Sequence, residues 1–393
     1  MFDYLSKNTK IQKTYFVVSI FVFDTLGFWP EKKETPRLFL WQIWNLFFLS
    51  FGVFGELHFT FYHKDDLLLA LDAFCPFATK FVTLCKLIFF LVFRDKFRVL
   101  VENVRIWLFK GTKYNIDIQQ MSAITALFAF LITLFGTMTS WSYALRPIVY
   151  NILDYANGRN FSNQLPFQVE VPDSYRVFPR YPIMFAALHY SGFVAVFGYG
   201  GSDGVFIGFC CYITACFKLV VILFKITSKI SYQLKIILDI TTEEESLFYY
   251  EKLKKIVIKH NEVIQLAKDF SSFAAFNTLI HFASAAIVIC IGSFLFIGSG
   301  VGLLVYATYS LTVLTQLFIY CLGGNYLLES VKLIYFSDWY KCDSRIRKML
   351  LMIMIRANKA TGVKIPFFEP SLLLYGTILS TSASYIALLK TFI

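Results

Sequence analysis

Apolar residues in this chain come in runs longer than a soluble fold uses. Hydropathy places seven of them, at 38–62, 67–93, 122–149, 181–224, 270–297, 300–322 and 368–389, each near or beyond the roughly 20 residues a helix needs to cross a ~30 Å hydrocarbon core. The fourth run is the exception, because its 44 residues would make a helix about 66 Å long. At its centre stands FGYGGSDGVF, residues 197–206. Such a run is either two crossings broken at the glycines or one long helix that leaves the membrane. Between the fourth and fifth runs, DITTEEESLFYYEKLKKIVIKHNE (239–262) mixes both signs of charge and spaces Leu247, Tyr250, Leu253, Ile256 and Val257 as a helix would. That spacing predicts an amphipathic helix prolonging the membrane helices, the alternative being a solvated connector.

Positive charge decides between one crossing and two, since short loops rich in Lys and Arg stay cytoplasmic. The N-terminal segment carries Lys7, Lys10, Lys13, Lys32, Lys33 and Arg37, and 94–121 carries Arg94, Lys96, Arg98, Arg105, Lys110 and Lys113. Segments 225–269 and 323–367 hold eight positive residues each, whereas 63–66 has only Lys64 and 150–180 only Arg159, Arg176 and Arg180. Strict alternation follows if 181–224 crosses once. The expected product is an all-α membrane protein of seven transmembrane helices, N-terminus cytoplasmic and C-terminus extracellular. Its parts would be a cytoplasmic segment 1–37, spans one to four over 38–224 with an outer loop 150–180, a cytoplasmic extension 225–269, spans five and six over 270–322, a cytoplasmic anchor helix 323–367 and a last span 368–393. Asn160, in the sequon Asn160-Phe161-Ser162, falls in the outer loop and is a glycosylation candidate. This orientation opposes a G-protein-coupled receptor, and neither Asp-Arg-Tyr after the third run nor Asn-Pro-x-x-Tyr in the last is present.

Composition narrows the function further. At 57% hydrophobic and 19% aromatic, with net charge +11, the chain is too apolar for soluble domains, and its charge reads as orientation and attraction to anionic inner-leaflet lipid. No folded basic face for nucleic acid is visible. Its eight cysteines, Cys75, Cys85, Cys210, Cys211, Cys216, Cys290, Cys321 and Cys342, all fall in spans or inside loops, so no structural disulfide is expected. The histidines His58, His63, His189, His260 and His281 show no metal spacing, and no nucleophile elbow, Walker loop or dinucleotide fingerprint occurs. An enzyme, a metal and a cofactor are therefore not expected. A transporter would show an inverted repeat with broken helices, and none is visible beyond the glycine cluster.

Inside the runs, ionisable residues are costly and are usually paired or functional. Lys80 and Asp203 sit at similar depth in spans two and four, which predicts a Lys80–Asp203 pair or a shared wet cavity unless Lys80 snorkels to the surface. The glycines 198, 200, 201 and 204 thin the fourth helix, either to leave room for a small guest or to let another helix pack closely.

The last seventy residues carry a recognisable pattern. Tyr335, Ser337, Trp339 and Tyr340, the basic Arg347, Lys348, Leu350 and Leu351, then Arg356 and Ala357, a Ser371-Leu372 helix start and a closing Thr381-Ser382-x-Ser384-Tyr385 before Leu388 and Leu389 resemble the C-terminal region of insect odorant receptors. Asp203 followed by an apolar run to Phe217-Lys218-Leu219 is similar to that family's long fourth helix. The resemblance implies an odorant-gated non-selective cation channel of four subunits, in which an odorant-binding subunit assembles with a co-receptor subunit in the plasma membrane of an olfactory neuron dendrite, without a G protein for gating. The co-receptor has a longer second cytoplasmic loop than 225–269, so this chain reads as the odorant-binding subunit. The ligand is then a small volatile apolar molecule held in the outer half of spans two, three, four and six. The candidates there are Phe74, Phe77, Thr137, Ser140, Trp141, Tyr143, His189, Phe193, Phe197, Tyr306 and Tyr309. Leu388, Thr391 and Phe392 are implied at a gate lined by the final span, which opens as that span moves outward. A gustatory-type homomeric channel, with the same architecture, is the alternative, and a membrane transporter the second.

Overall fold

The computed structural model describes residues 15–32, 34–111, 118–158, 163–238, 243–298, 303–330, 332, 347–348, 351–352, 354–356, 362–366 and 368–390. Its elements are helices, with no β-strand among the described residues: α1 (Val17–Leu26), α2 (Pro36–Tyr62), α3 (Leu67–Val92), α4 (Arg94–Gly111), α5 (Ile118–Ala156), α6 (Arg180–Leu238), α7 (Glu243–Gly298), α8 (Leu303–Ser330) and α9 (Leu372–Lys390). Six of these are long and apolar enough to cross a membrane, and Leu372–Ser384 within α9 is a shorter apolar helix.

Local chemistry sets the starts and stops. Gly27 ends α1 at φ 85°, with its N–H on the Asp24 and Phe23 carbonyls, a left-handed cap that glycine adopts without Cβ strain. Thr35 accepts from the Leu38 N–H ahead of Pro36, and Asp66 accepts from the Leu69 N–H. These are side-chain caps of orphan N–H groups, and they confine the α2–α3 connection to residues 63–66.

The fourth apolar run is one continuous helix. α6 spans 59 residues, about 88 Å at 1.5 Å per residue, so most of its length beyond the hydrocarbon core must project from the membrane. It is the central helix of the bundle: 89% of its most apolar window is buried, and α1, α2, α3, α4, α5, α7 and α8 all pack on it. α7 likewise runs 56 residues without a break, joining the amphipathic stretch to the fifth apolar run. Leu253 and Ile256 of that stretch are buried, while the side chains of Leu247 and Tyr250 lie outside the described residues.

The glycine cluster does not leave room for a guest. Side chains already occupy each notch: Thr83 and Leu87 at Gly198, Thr133 at Gly200, Phe23 at Gly201, Ser19 and Ala129 at Gly204, and Phe16 at Gly208. Three of these occupants belong to α1 or its cap. That short helix inside the segment expected as a cytoplasmic lead-in is therefore docked against α6 at residues 201–208. Without a hydrophobic drive between helices in lipid, such close approach supplies the van der Waals contact that holds them together.

The outer faces differ in kind. On α2, Leu40, Phe47, Phe54 and Phe61 recur every seven residues and are all exposed, an apolar stripe suited to acyl chains. On α9, Leu374, Tyr375 and Ile378 pack on the core, and the opposite, exposed side presents Thr377, Ser380, Thr381 and Ser384. Each of these hydroxyls donates to a carbonyl of its own helix, for example Ser384 Oγ to Ser380 O at 3.0 Å. This face is more polar than that of α2, although each hydroxyl is satisfied within the helix and Leu373 is exposed beside them.

Gly201→Leu should overpack the Phe23 contact and cost about 1–3 kcal/mol, seen as a lower thermal midpoint of the detergent-solubilised protein. Gly376→Ala on α9, where nothing lies within 4 Å, should leave that midpoint in place. Equal midpoints for the two variants would contradict the notch packing.

Candidate ligand-binding site

Four helices enclose a cavity of about 40 Å³, and each presents one face to it. α5 contributes Gly136, Thr139, Ser140 and Tyr143; α6 contributes Gly192, Ala195, Val196 and Tyr199; α8 contributes Tyr309, Thr312, Val313 and Gln316; α3 contributes Pro76, Thr79 and Lys80. The first three sets share the spacing i, i+3, i+4, i+7, the single stripe of a straight helix. Phe167, from the irregular segment before α6, closes one end. Gly136 lets the Tyr199 hydroxyl lie against α5, and Gly192 gives Phe167 and Ser140 their space.

Proline and tyrosine join α3 to α8. Pro76 lies within α3 and removes one backbone donor there. Directly beside it, the Tyr309 hydroxyl donates to the Cys75 carbonyl at 2.7 Å and contacts Thr79 Oγ1 at 2.5 Å. Tyr143 stacks on Phe167 with centroids 5.0 Å apart. Its hydroxyl and Ser140 Oγ are buried without a hydrogen-bond partner. Buried polar atoms are nearly always satisfied, so two free hydroxyls on one cavity wall mark where a polar group of a guest would bond.

Charges ring this cavity in pairs. Lys80 holds Glu56 of α2 in a buried ion pair, with its ammonium 3.4 Å from the centroid of Phe167. Asp72 receives Arg146 at 3.1 Å and 3.2 Å, the Tyr306 hydroxyl at 2.8 Å and Gln168 at 3.3 Å. Deeper, Lys86 bonds Asp203 Oδ1 at 2.6 Å, where Tyr320 at 2.8 Å and Ser202 at 3.2 Å also donate. The expected Lys80–Asp203 pair is thus corrected: both residues are paired, but to Glu56 and Lys86. The reason is helical pitch, since Lys80 and Lys86 are six residues apart on α3, about 9 Å along its axis, and Asp203 lies level with the second.

Of the eleven ligand candidates, Ser140, Tyr143 and Tyr309 line the cavity, and Tyr306 stands one turn from Tyr309 on Asp72. The other seven are not on its wall. Phe74 and Phe77 belong to a ring ladder with Phe81, at 5.5 Å and 5.8 Å. Thr137 bonds the Thr133 carbonyl of its own helix. Trp141 is 56% exposed and meets His189 at 5.1 Å, and Phe193 and Phe197 pack on each other at 4.2 Å. Thr391, Phe392 and Asn160 lie outside the described residues, as does the side chain of Leu388. The residues missed are mostly small or polar, Gly136, Thr139, Gly192 and Thr312 among them, and the stripe spacing was the signal that would have found them. Glu56, Asp72, Lys86 and Arg146 were missed as well, although the first four apolar runs hold three acids (Glu56, Asp72, Asp203) and four bases (Lys80, Lys86, Arg146, Lys218). Among the described residues, no group of three or more His, Cys, Asp or Glu is placed to hold a metal.

Comparison with known proteins agrees with this architecture. The family model described as 7tm Odorant receptor matches residues 66–383. Odorant receptor 24a of Drosophila melanogaster is 32% identical over 99% of both chains, and Odorant receptor 22c of the same organism is 33% identical over 94% of both. The solved structure of the insect olfactory receptor OR5 from Machilis hrabei superposes with TM-score 0.76 at 14% identity, covering 98% of this chain and 99% of that one. Its complex with eugenol gives 0.77 at 13% identity, covering 100% of each.

Removing one partner of a buried pair costs about 3–5 kcal/mol, while replacing both by apolar residues is often tolerated. Lys80→Met should therefore reduce surface expression, and adding Glu56→Leu should restore it where adding Asp203→Leu should not. Rescue by Asp203→Leu alone would return the pairing to the arrangement expected from depth.

Proposed function

The chain belongs to the insect 7tm odorant receptor family, a receptor family rather than an enzyme family, and on that premise we propose that it is the odorant-binding subunit of a heteromeric odorant-gated cation channel. The observation that carries the ligand side of this reading is the cavity among four helices with two unpartnered hydroxyls on its wall. An aromatic and aliphatic lining binds by burial, and about 200 Å² of ligand apolar surface removed from water contributes about 5 kcal/mol, an affinity between millimolar and micromolar. Ser140 and Tyr143 then select for a hydroxyl or carbonyl group on an otherwise apolar volatile. At about 40 Å³ the closed cavity is smaller than a ligand pocket of ordinary size, so binding moves its walls, and movement of α8 is passed to α9 packed beside it.

The channel side rests on α9. Its exposed hydroxyl stripe fits a water-filled path shared with neighbouring subunits, including a co-receptor, with Leu388, Thr391 and Phe392 near the narrow apolar end where such a path closes by dewetting. The positive segments support a cytoplasmic N-terminus and cytoplasmic projecting parts of α6 and α7, as an anchor where subunits meet, with the Phe167 end of the cavity outside. A plasma-membrane location in an olfactory neuron dendrite follows from this role.

Whole-cell current against a panel of volatile oxygenates tests the reading, with this chain expressed alone and with the insect co-receptor. Current only in co-expressing cells is the expected result. Current from the chain alone would replace the heteromer by a homomeric channel, and silence in both despite surface expression would remove the odorant-gated reading. In responding cells Tyr143→Phe should weaken sensitivity to oxygenates by about threefold to tenfold, the loss of one hydrogen bond. Trp141→Ala, at an exposed face, should leave sensitivity within the scatter of the wild type.

A further inference from the structure

A second, smaller chamber lies directly beneath the ligand cavity. It measures about 20 Å³ and is bounded by α3, α6, α7 and α8, so that α7, which does not touch the upper cavity, forms one of its walls. Thr79, Tyr199, Val313 and Gln316 line both spaces. The two spaces are therefore adjacent, with these four side chains between them. From Tyr309 to Gln316 on α8 they descend seven residues, about 10 Å.

Val82, Ala285, Val288 and Val313 make part of the lower wall, and polar groups interrupt it. Thr83, Lys86, His281 and Ser284 line it with Gln316, at a depth where unsatisfied polar groups are costly. Three of these are answered within the protein: Thr83 Oγ1 donates to the Thr79 carbonyl at 2.8 Å, Ser284 Oγ to the His281 carbonyl at 2.9 Å, and Lys86 Nζ is held by Asp203 at 2.6 Å. His281 is not. Its ring is 4% exposed and stacks on Tyr320 with centroids 4.3 Å apart, and its Nε2 is buried with no hydrogen-bond partner. A buried, stacked imidazole with an unanswered nitrogen offers a hydrogen-bonding point, and 20 Å³ is room for one small polar group.

We propose that the lower chamber is a second compartment of the ligand site, in which His281 binds the oxygen-bearing end of an elongated ligand whose apolar body occupies the cavity above. Resting on the odorant-binding reading, this names the ligand class: an extended apolar molecule with a terminal hydroxyl or carbonyl. A compact ligand stays in the upper cavity and bonds Ser140 or Tyr143. A longer one displaces the divider formed by Tyr199 and Gln316 and touches α7, so that ligand length sets which helices it bridges.

Straight-chain alcohols from butanol to decanol, and the alkanes of matching length, are the probes. They are applied to cells expressing the chain with its co-receptor, and to the purified receptor in a thermal-shift measurement that does not need gating. The wild type should prefer alcohol to alkane, and His281→Phe, which keeps the stacked ring, should weaken response and thermal shift by about threefold to tenfold for the long alcohols while sparing the short ones. Ala285→Leu, which narrows the same chamber from α7 and leaves His281 intact, should show the same length dependence and guards against misfolding of the first variant. Equal sensitivity of wild type and both variants to long alcohols, or an equal loss at every length, would overturn the second compartment while the odorant-binding reading stands. Absence of binding or current with every volatile would remove both.

Discussion

Close packing of neighbouring side chains into α6 is the constraint on which the rest of the molecule depends. In a bilayer, lipid chains are as apolar as the helix faces, so association must come from contact itself. α6 answers by giving up side chains where its neighbours arrive: Phe23 and Phe16 of the N-terminal region, Thr83 and Leu87 of α3, and Thr133 of α5 fill the notches at its glycines. The same helix carries Asp203, and the same neighbours carry the site. Position on α6 and position around the cavity are one decision, because Gly192, Ala195, Val196 and Tyr199 form the stripe immediately before the notches.

Buried charge adds register to that packing. Glu56 with Lys80, Asp72 with Arg146, and Asp203 with Lys86 tie α2 to α3, α3 to α5, and α3 to α6. Each pair is expensive to break, which penalises a slip of one helix against the next far more than an apolar contact would. α3 takes part in all three. It also carries Pro76, Thr79 and Lys80 on the cavity wall, so the helix that joins all three pairs is also a wall of the cavity. Tyr306 and Tyr309 of α8 then fasten to that helix at Asp72 and Cys75. On the proposed reading, a ligand that shifts Tyr309 works against α3 on one side and against α8, with α9 packed beside it, on the other.

Much of the fold was legible in the chain. Runs of apolar residues show spans at any depth, and the 44-residue run was read as one helix because positive residues on both sides left no other alternation. The site was less legible, and particular residues show why. Tyr143, Tyr309 and Ser140, named from depth and the family resemblance, line the cavity, but depth is blind to azimuth: Trp141 and Phe193 stand on faces that do not line it. Glycine and threonine line the cavity as much as aromatics do, and they draw no notice until the stripes of α5, α6 and α8 are laid side by side. Depth also misled the pairing of Lys80 with Asp203, where the true partners differ by less than two turns of α3.

By itself the sequence determined the membrane class, the long central helix, the helical extension of α7 and the family resemblance, because hydropathy, charge asymmetry and motif spacing are properties of consecutive residues. Only the tertiary structure decided which lysine meets which acid, that the glycines are filled by α1, α3 and α5 instead of by a guest, and which face of each helix looks into the cavity. Those facts depend on rotation and register between helices far apart in the chain, and a difference of two residues, some 3 Å and 200° around the axis, changes them all without altering a single hydropathy run.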